Sequence, residues 1–137
     1  MDHVIHTELI LRQHPLPLAL DHRALGLCIE ACMECEQACT SCADACLGEG
    51  RPDELVKCIR LCQDCADISD ITARIASRQT AGDERLLREL LHACALACKL
   101  CGEECLKHSG LDHCRACAEA CERCQQACTR LIAAASA

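Results

Sequence analysis

The chain contains no phenylalanine, tyrosine or tryptophan in its 137 residues. Aromatic rings supply much of the buried area of an ordinary core. Here the core must be built from Leu, Ile, Val, Ala and Cys. Positive charge is also scarce: 14 Lys and Arg stand against 21 Asp and Glu, for a net charge of −7. That balance argues against a nucleic-acid surface, which needs cations against phosphate, and it does not oppose binding of cations. No apolar run approaches the ~20 residues that span a bilayer, so no membrane partner is expected. The opening stretch, MDHVIHTELILRQHPLPLAL, carries Asp2, Glu8 and two prolines. It lacks the basic start, continuous apolar run and small-residue cleavage site of a secretory leader. A cytoplasmic protein with reduced thiols is therefore expected, and the length suits a single domain, 1–137.

What the chain has in excess is cysteine, 18 residues of it. They fall in four runs: Cys28, Cys32, Cys35, Cys39, Cys42, Cys46; Cys58, Cys62, Cys65; Cys94, Cys98, Cys101, Cys105; and Cys114, Cys117, Cys121, Cys124, Cys128. Within a run every gap is three or four residues, which places the thiols on one stripe of a helix at the core positions of a heptad. Four long helices are predicted, at about Leu18–Leu47, Asp53–Ser77, Asp83–Lys107 and Asp112–Ala134. Gly48, Gly50 and Pro52 mark the first break, Thr80, Gly82 and Asp83 the second, Ser109–Gly110 the third. Asp112 is the expected N-cap of the fourth. Residues 3–13 read as a short amphipathic helix with Val4, Ile5, Leu9 and Ile10 on its apolar face, ended by Pro15 and Pro17. The fold expected is all-α: an antiparallel four-helix bundle over 18–134, its core lined with cysteine, preceded by an N-terminal helix and proline-containing linker over 1–17.

Antiparallel order gives the bundle two unlike ends. Cys46, Cys58, Cys105 and Cys114 should meet at the end formed by the first and third loops. At the other end the stripes turn apolar through Leu18, Leu25, Ile68, Ile71, Ile75, Leu87, Leu91, Leu131 and Ile132. The first ladder, Cys28 to Cys46, covers roughly 27 Å at helical rise, too long for one mononuclear site. After Cys65 the second helix continues as Ser69, Thr72 and Ala76, so metal should be sparse beside that half.

Several roles for such cysteines can be weighed. As small core hydrophobes, eighteen at seam positions would be a strange use of a scarce, oxidation-prone residue. Disulfides fit poorly, because same-face helical residues have Cβ atoms about 5–6 Å apart and a bridge wants ~3.5–4.5 Å. A thioredoxin-like site has one C-x-x-C pair at a helix N-terminus beside a sheet; here such pairs recur in mid-helix with no strand pattern. Metal binding remains. Two-coordinate thiolate binding suits Cu(I), and a linear bridge needs sulfurs about 4.5 Å apart, twice a bond of ~2.3 Å. A zinc tetrathiolate carries net negative charge, and Lys99, Lys107, Arg115 and Arg123 lie off the stripes. One Cu(I) per thiolate is neutral and avoids burying unpaired charge. Iron–sulfur clusters prefer irregular loop spacings. Zinc storage and an iron–sulfur or thiol redox protein stand as the alternatives.

His108 and His113 flank the third loop, at the thiol-rich mouth, where imidazole can pass or cap incoming copper. His92 is read as a surface residue, and His3, His6, His14 and His22 as unrelated to storage. Met33 lies off the seam. Glu49, Asp53, Glu54, Glu103, Glu104 and Asp112 cluster near the mouth and can raise the local cation concentration.

The segments CIEACMECEQACTSCADAC, CIRLCQDC, CALACKLCGEEC and CRACAEACERCQQAC resemble the cytosolic branch of the bacterial copper storage proteins, over roughly residues 18–134. The resemblance implies a cysteine-rich four-helix bundle assembling as a homotetramer, multinuclear Cu(I) held by thiolates of all four helices, and loading through one open end. The expected function is storage and buffering of many Cu(I) ions, about one per cysteine, with no enzymatic activity. The expected partners are Cu(I) itself, further copies of the chain, and a copper chaperone or small-thiol donor.

Overall fold

The structure, a computed structural model, describes residues 6–135. Asp21, not Leu18, opens the first long helix. Its side chain accepts a hydrogen bond from the Ala24 amide at 2.9 Å, satisfying one of the free donors of the first turn. The elements are α1 (His6–Arg12), α2 (His22–Gly48), α3 (Pro52–Ser77), α4 (Glu84–Leu106) and α5 (Asp112–Ala135). Helix α2 thus begins four residues later than the sequence suggests, and Leu18 lies in the connection before it. Gly50, at φ 76°, turns the chain from α2 into α3, a left-handed conformation that costs glycine little. Pro52 follows as the first residue of α3, where a missing amide is harmless. Asp83 caps α4 by accepting from the Arg85 amide at 2.9 Å. Asp112 is not a cap: it is the first residue of α5, its carboxylate pairs with Arg115, and the Leu111 carbonyl receives the first helical bonds.

Each long helix packs on its neighbours in sequence, and α5 closes the ring against α2. Short loops enforce this antiparallel order. All 18 cysteines face inward, each at most 2% exposed. The apolar end is sealed by Leu25, Leu91 and Leu131, with Leu87 beside them. Leu18, Ile68, Ile75 and Ile132 pack against this cluster at half-buried positions. Ile71 departs from expectation: it is 47% exposed, whereas Ser69, Thr72 and Ala76 are fully buried. The heptad phase set by Cys58, Cys62 and Cys65 continues through 69, 72 and 76 and turns 71 outward. Interior polarity on α3 is therefore real, and the plug rests on the other three helices and the flanks of α3.

Helix α1 lies on α2, burying Glu8 and Leu11. Val4, Ile5 and His3 lie outside the described residues, and Leu9 and Ile10 are exposed, so the apolar face expected of this helix is not the docking face. The contact is held instead by Glu8, which pairs with Arg12 at 2.7 Å and with Arg23 of α2 at 3.2 Å; Thr7 also donates to Glu30. The Arg12 hydrogen bond, against the effect of burial and helped by Arg23, holds the Glu8 carboxyl below the ordinary carboxylate value. A lowered folded-state value means that attachment is full above the ordinary carboxylate pKa and is lost as the pH falls through the lowered one. A helix of seven residues does not persist alone in water. In Glu8→Gln the α1 amides should lose hydrogen-exchange protection at neutral pH while α2–α5 keep theirs. Unchanged protection would place the attachment elsewhere.

Candidate metal centre

The heptad register of four inward stripes stacks the thiols in overlapping layers. Nearest the plug, Cys28 lies 3.9 Å from Cys128, and Cys32, Cys94, Cys124 and Cys128 form one four-thiol group. Next come Cys35, Cys39, Cys65 and Cys121, with Cys98 at 3.8 Å from both Cys35 and Cys65. In the middle, Cys39, Cys101, Cys117 and Cys121 form another group, followed by Cys42, Cys62, Cys105 and Cys117. At the mouth Cys46 lies 3.9 Å from Cys114 and Cys58 lies 3.8 Å from Cys105. From the mouth inward, successive groups share Cys42, then Cys117, then Cys39 and Cys121; the innermost group shares no sulfur with the next, and the Ser69 hydroxyl lies between Cys65 and Cys94 where the two adjoin.

Contacting sulfurs are 3.6 to 4.0 Å apart. A linear two-coordinate bridge needs about 4.5 Å, a separation the groups allow, since their ligand atoms lie within 4.8 Å of one another. Three sulfurs around one ion at ~2.3 Å stand about 4.0 Å apart, and a tetrahedron needs about 3.8 Å. The groups therefore suit both linear bridges between paired thiolates and ions shared by three of them. Spacing alone admits zinc too; charge separates the two metals. Among the described residues the buried polar side chains are Glu8, Ser69, Thr72 and Glu104, and Lys99, Lys107, Arg115 and Arg123 are all exposed. With no Lys or Arg buried among the described residues, tetrathiolate zinc would leave uncompensated negative charge, whereas one Cu(I) per thiolate would not.

The thiols shift in both directions: hydrogen bonds with Cys128 and Cys32 lower Cys28 to about 5, while others are held toward the neutral form. Burial pushes the Cys46 thiol up to about 11 and acts in the same direction on Cys114, where neighbouring cysteines add to it. Deeper in, hydrogen bonding to Cys101, Cys117 and Cys121 raises Cys39, with burial reinforcing the effect. Neutral thiols pack as small hydrophobes, which lets the bundle close without metal. Each ion bound to thiolate must then displace a proton.

Of the two histidines expected at the mouth, the structure brings one into thiol contact. His113 Nδ1 stands 3.4 Å from Cys42 Sγ and 3.6 Å from Cys114 Sγ, making a group with Cys42, Cys46 and Cys114. Its Nε2 is held by Glu49 at 2.8 Å, the arrangement that aims the other ring nitrogen at a metal. This pairing spans 64 residues, and nothing local in the sequence signals it. His108 Nε2 lies 3.0 Å from Glu104, one helical turn before it. Glu104 also meets Lys107 at 3.4 Å. Burial works against ionisation of Glu104, but His108 and Lys107 together keep its pKa below the ordinary value. The acidic cluster is thus largely spent on local partners, since Glu54 pairs with Arg51 and Asp112 with Arg115. His92 and Met33 are exposed, as expected.

Comparison with known proteins agrees with this geometry. A family model described as copper storage protein matches residues 21–133. A copper storage protein from Streptomyces lividans, solved with 10 copper equivalents, is 48% identical and superposes with a TM-score of 0.91, covering 93% of this chain and 98% of that one. The metal-free copper storage protein 3 of Bacillus subtilis is 41% identical with a TM-score of 0.65, covering 77% and 95%. An uncharacterized cysteine-rich protein of Bacillus subtilis strain 168 is 42% identical over 93 residues, 68% of this chain and 82% of that protein. With the matched region containing every cysteine of the core, the chain belongs to the copper storage protein family.

Proposed function

We propose that this protein stores and buffers Cu(I) in the cytosol, with all 18 cysteines as ligands, about one ion per cysteine, and no catalytic step. The observation that carries this reading is the stack of buried thiols, with contacting sulfurs 3.6 to 4.0 Å apart, in a core that buries no Lys or Arg among the described residues. A Streptomyces lividans relative, 52% identical over 81% of this chain, is a cytosolic copper storage protein, which supports the compartment. No helix among the described residues is long and apolar enough to cross a membrane. Exposed Leu86, Leu96, Leu100 and Leu106 on α4, with Val56 on α3, support self-association, and a homotetramer is the assembly we assign. Copper is delivered by a chaperone or a small-thiol complex, because exchange from a donor ligand to the mouth thiols never leaves the ion uncoordinated.

Anaerobic titration of the reduced protein with Cu(I), against a chromogenic chelator, tests the reading. Uptake should continue to about one ion per cysteine. Saturation near a quarter of that, the count for four-thiolate sites, would favour a zinc reservoir instead. In the same titration His113→Ala should load and unload copper at altered rates with nearly unchanged capacity, since the thiols hold the store. His108→Ala should change the rates less, because that imidazole is engaged by Glu104. A large loss of capacity in His113→Ala would make the imidazole a storage ligand, and unchanged rates would make it a bystander.

A further inference from the structure

On α3 the thiol stripe is interrupted at Ser69, fully buried among sulfurs. Its Oγ lies 3.9 Å from Cys65 Sγ and 3.8 Å from Cys94 Sγ. Other helical hydroxyls behave differently. Thr72 and Ser77 each donate to the carbonyl one turn back at 2.7 Å, and Thr129 does so at 2.8 Å. The Ser69 hydroxyl is instead turned toward the core. It also sits at a junction: Cys65 touches Cys35 and Cys98, while Cys94 touches Cys32 and Cys124. These are two successive layers of the store.

Resting on the Cu(I)-storage reading, we propose that Ser69 is a positioning residue for stored copper: its hydroxyl donates a hydrogen bond to the metal-bound thiolate of Cys94 or Cys65 and strengthens the copper held where those two layers meet. The chemistry favours donation over direct ligation. A hydroxyl is a hard oxygen donor and Cu(I) is soft. A thiolate bridging two ions still has a lone pair to accept an O–H. Drawing charge from such a sulfur through an outer hydrogen bond is a general means of tuning a metal site. Around Cys94 the four grouped thiols come from α2, α4 and α5, and α3 contributes this hydroxyl in place of a fifth thiol.

The test compares wild type with Ser69→Ala, Ser69→Thr and Ser69→Cys, each reduced and metal-free, with helicity checked by circular dichroism. Each is loaded with Cu(I) anaerobically and then stripped by a chelator. Ser69→Ala should keep the wild-type capacity but surrender a subset of its ions about three- to tenfold more readily, the range for one hydrogen bond. Ser69→Thr, which keeps the hydroxyl, should restore retention, and Ser69→Cys should take up one further ion. A Ser69→Ala profile identical to wild type overturns the proposal. So does a capacity in Ser69→Ala lower by one or more ions, which would make the oxygen a ligand, and so does Ser69→Cys gaining nothing. A wild type that takes up no Cu(I) overturns the storage reading and this inference with it; a wild type that loads while Ser69→Ala is unaltered overturns only the role of Ser69.

Discussion

Replacing Cys39, Cys101, Cys117 and Cys121 together with alanine is expected to lower Cu(I) capacity by about four ions and to divide loading into two phases. These four thiols form the middle group of the stack. Cys39 alone touches Cys35, Cys101, Cys117 and Cys121 at 3.6 to 3.9 Å. With one ion per thiolate required for neutrality, each lost sulfur removes one ion. The outer thiols, from Cys46 and Cys114 in to Cys62, remain in reach of the mouth and should fill at the usual rate. The inner group around Cys32, Cys94, Cys124 and Cys128 then lies behind a band with few ligands, and an ion crossing it gives up coordination in an apolar setting. Filling of that inner group should slow by about tenfold, the effect of ~1.4 kcal/mol on a barrier. Stopped-flow loading with a chelator readout checks both numbers, and circular dichroism checks that the helices remain. Single-phase loading at full capacity would show that the sulfurs do not act as a relay and that the middle group holds no copper.

The metal-free fold should depend on the plug more than on any thiol. Leu131 is fully buried, with Leu25 and Leu91 beside it in the same sealed cluster. Leu131→Ala should cost about 2–5 kcal/mol, from lost apolar burial and the cavity left behind. That corresponds to a fall of roughly 10 °C in the apo melting temperature. Ile71→Ala is the control. Ile71 is 47% exposed, so its loss should change stability by no more than about 0.5 kcal/mol. Thermal unfolding of chelator-treated, reduced protein distinguishes them. Equal effects at the two positions would mean that the stripe of α3 faces the core in a different phase. Copper loading should mask part of the Leu131→Ala defect, because ions bound only by the folded state add stability through linkage.

The contrast between these two residues marks a general boundary. Both were legible as apolar residues near one end of the bundle, but α3 offers two interleaved patterns after Cys65: Ile68, Ile71, Ile75 and Ser69, Thr72, Ala76. Composition favours the first for a core. The helical phase inherited from Cys58, Cys62 and Cys65 selects the second, because a helix packed at one end cannot rotate at the other without breaking its seam. The start of α2 shows the same limit on a smaller scale. Apolar periodicity runs back to Leu18, and the Asp21 cap ends the helix at His22.

By itself the sequence determined the number of the long helices and most of their extent, the inward stripe of every cysteine and the thiol character of one end. All of these follow from three- and four-residue spacing and from breaks at Gly, Pro and Asp, which are local in the chain. Tertiary structure decided which sulfurs meet across the bundle. It set the spacing of those in contact, 3.6 to 4.0 Å, close enough for one ion to be shared by three thiolates. It also chose between the two mouth histidines, giving His113 to Cys42 and Glu49 and leaving His108 with its neighbour Glu104. Such contacts join residues as much as 100 positions apart, as between Cys28 and Cys128. Helix periodicity fixes the direction in which a side chain points, while the distance to what it meets depends on how closely four separate helices pack.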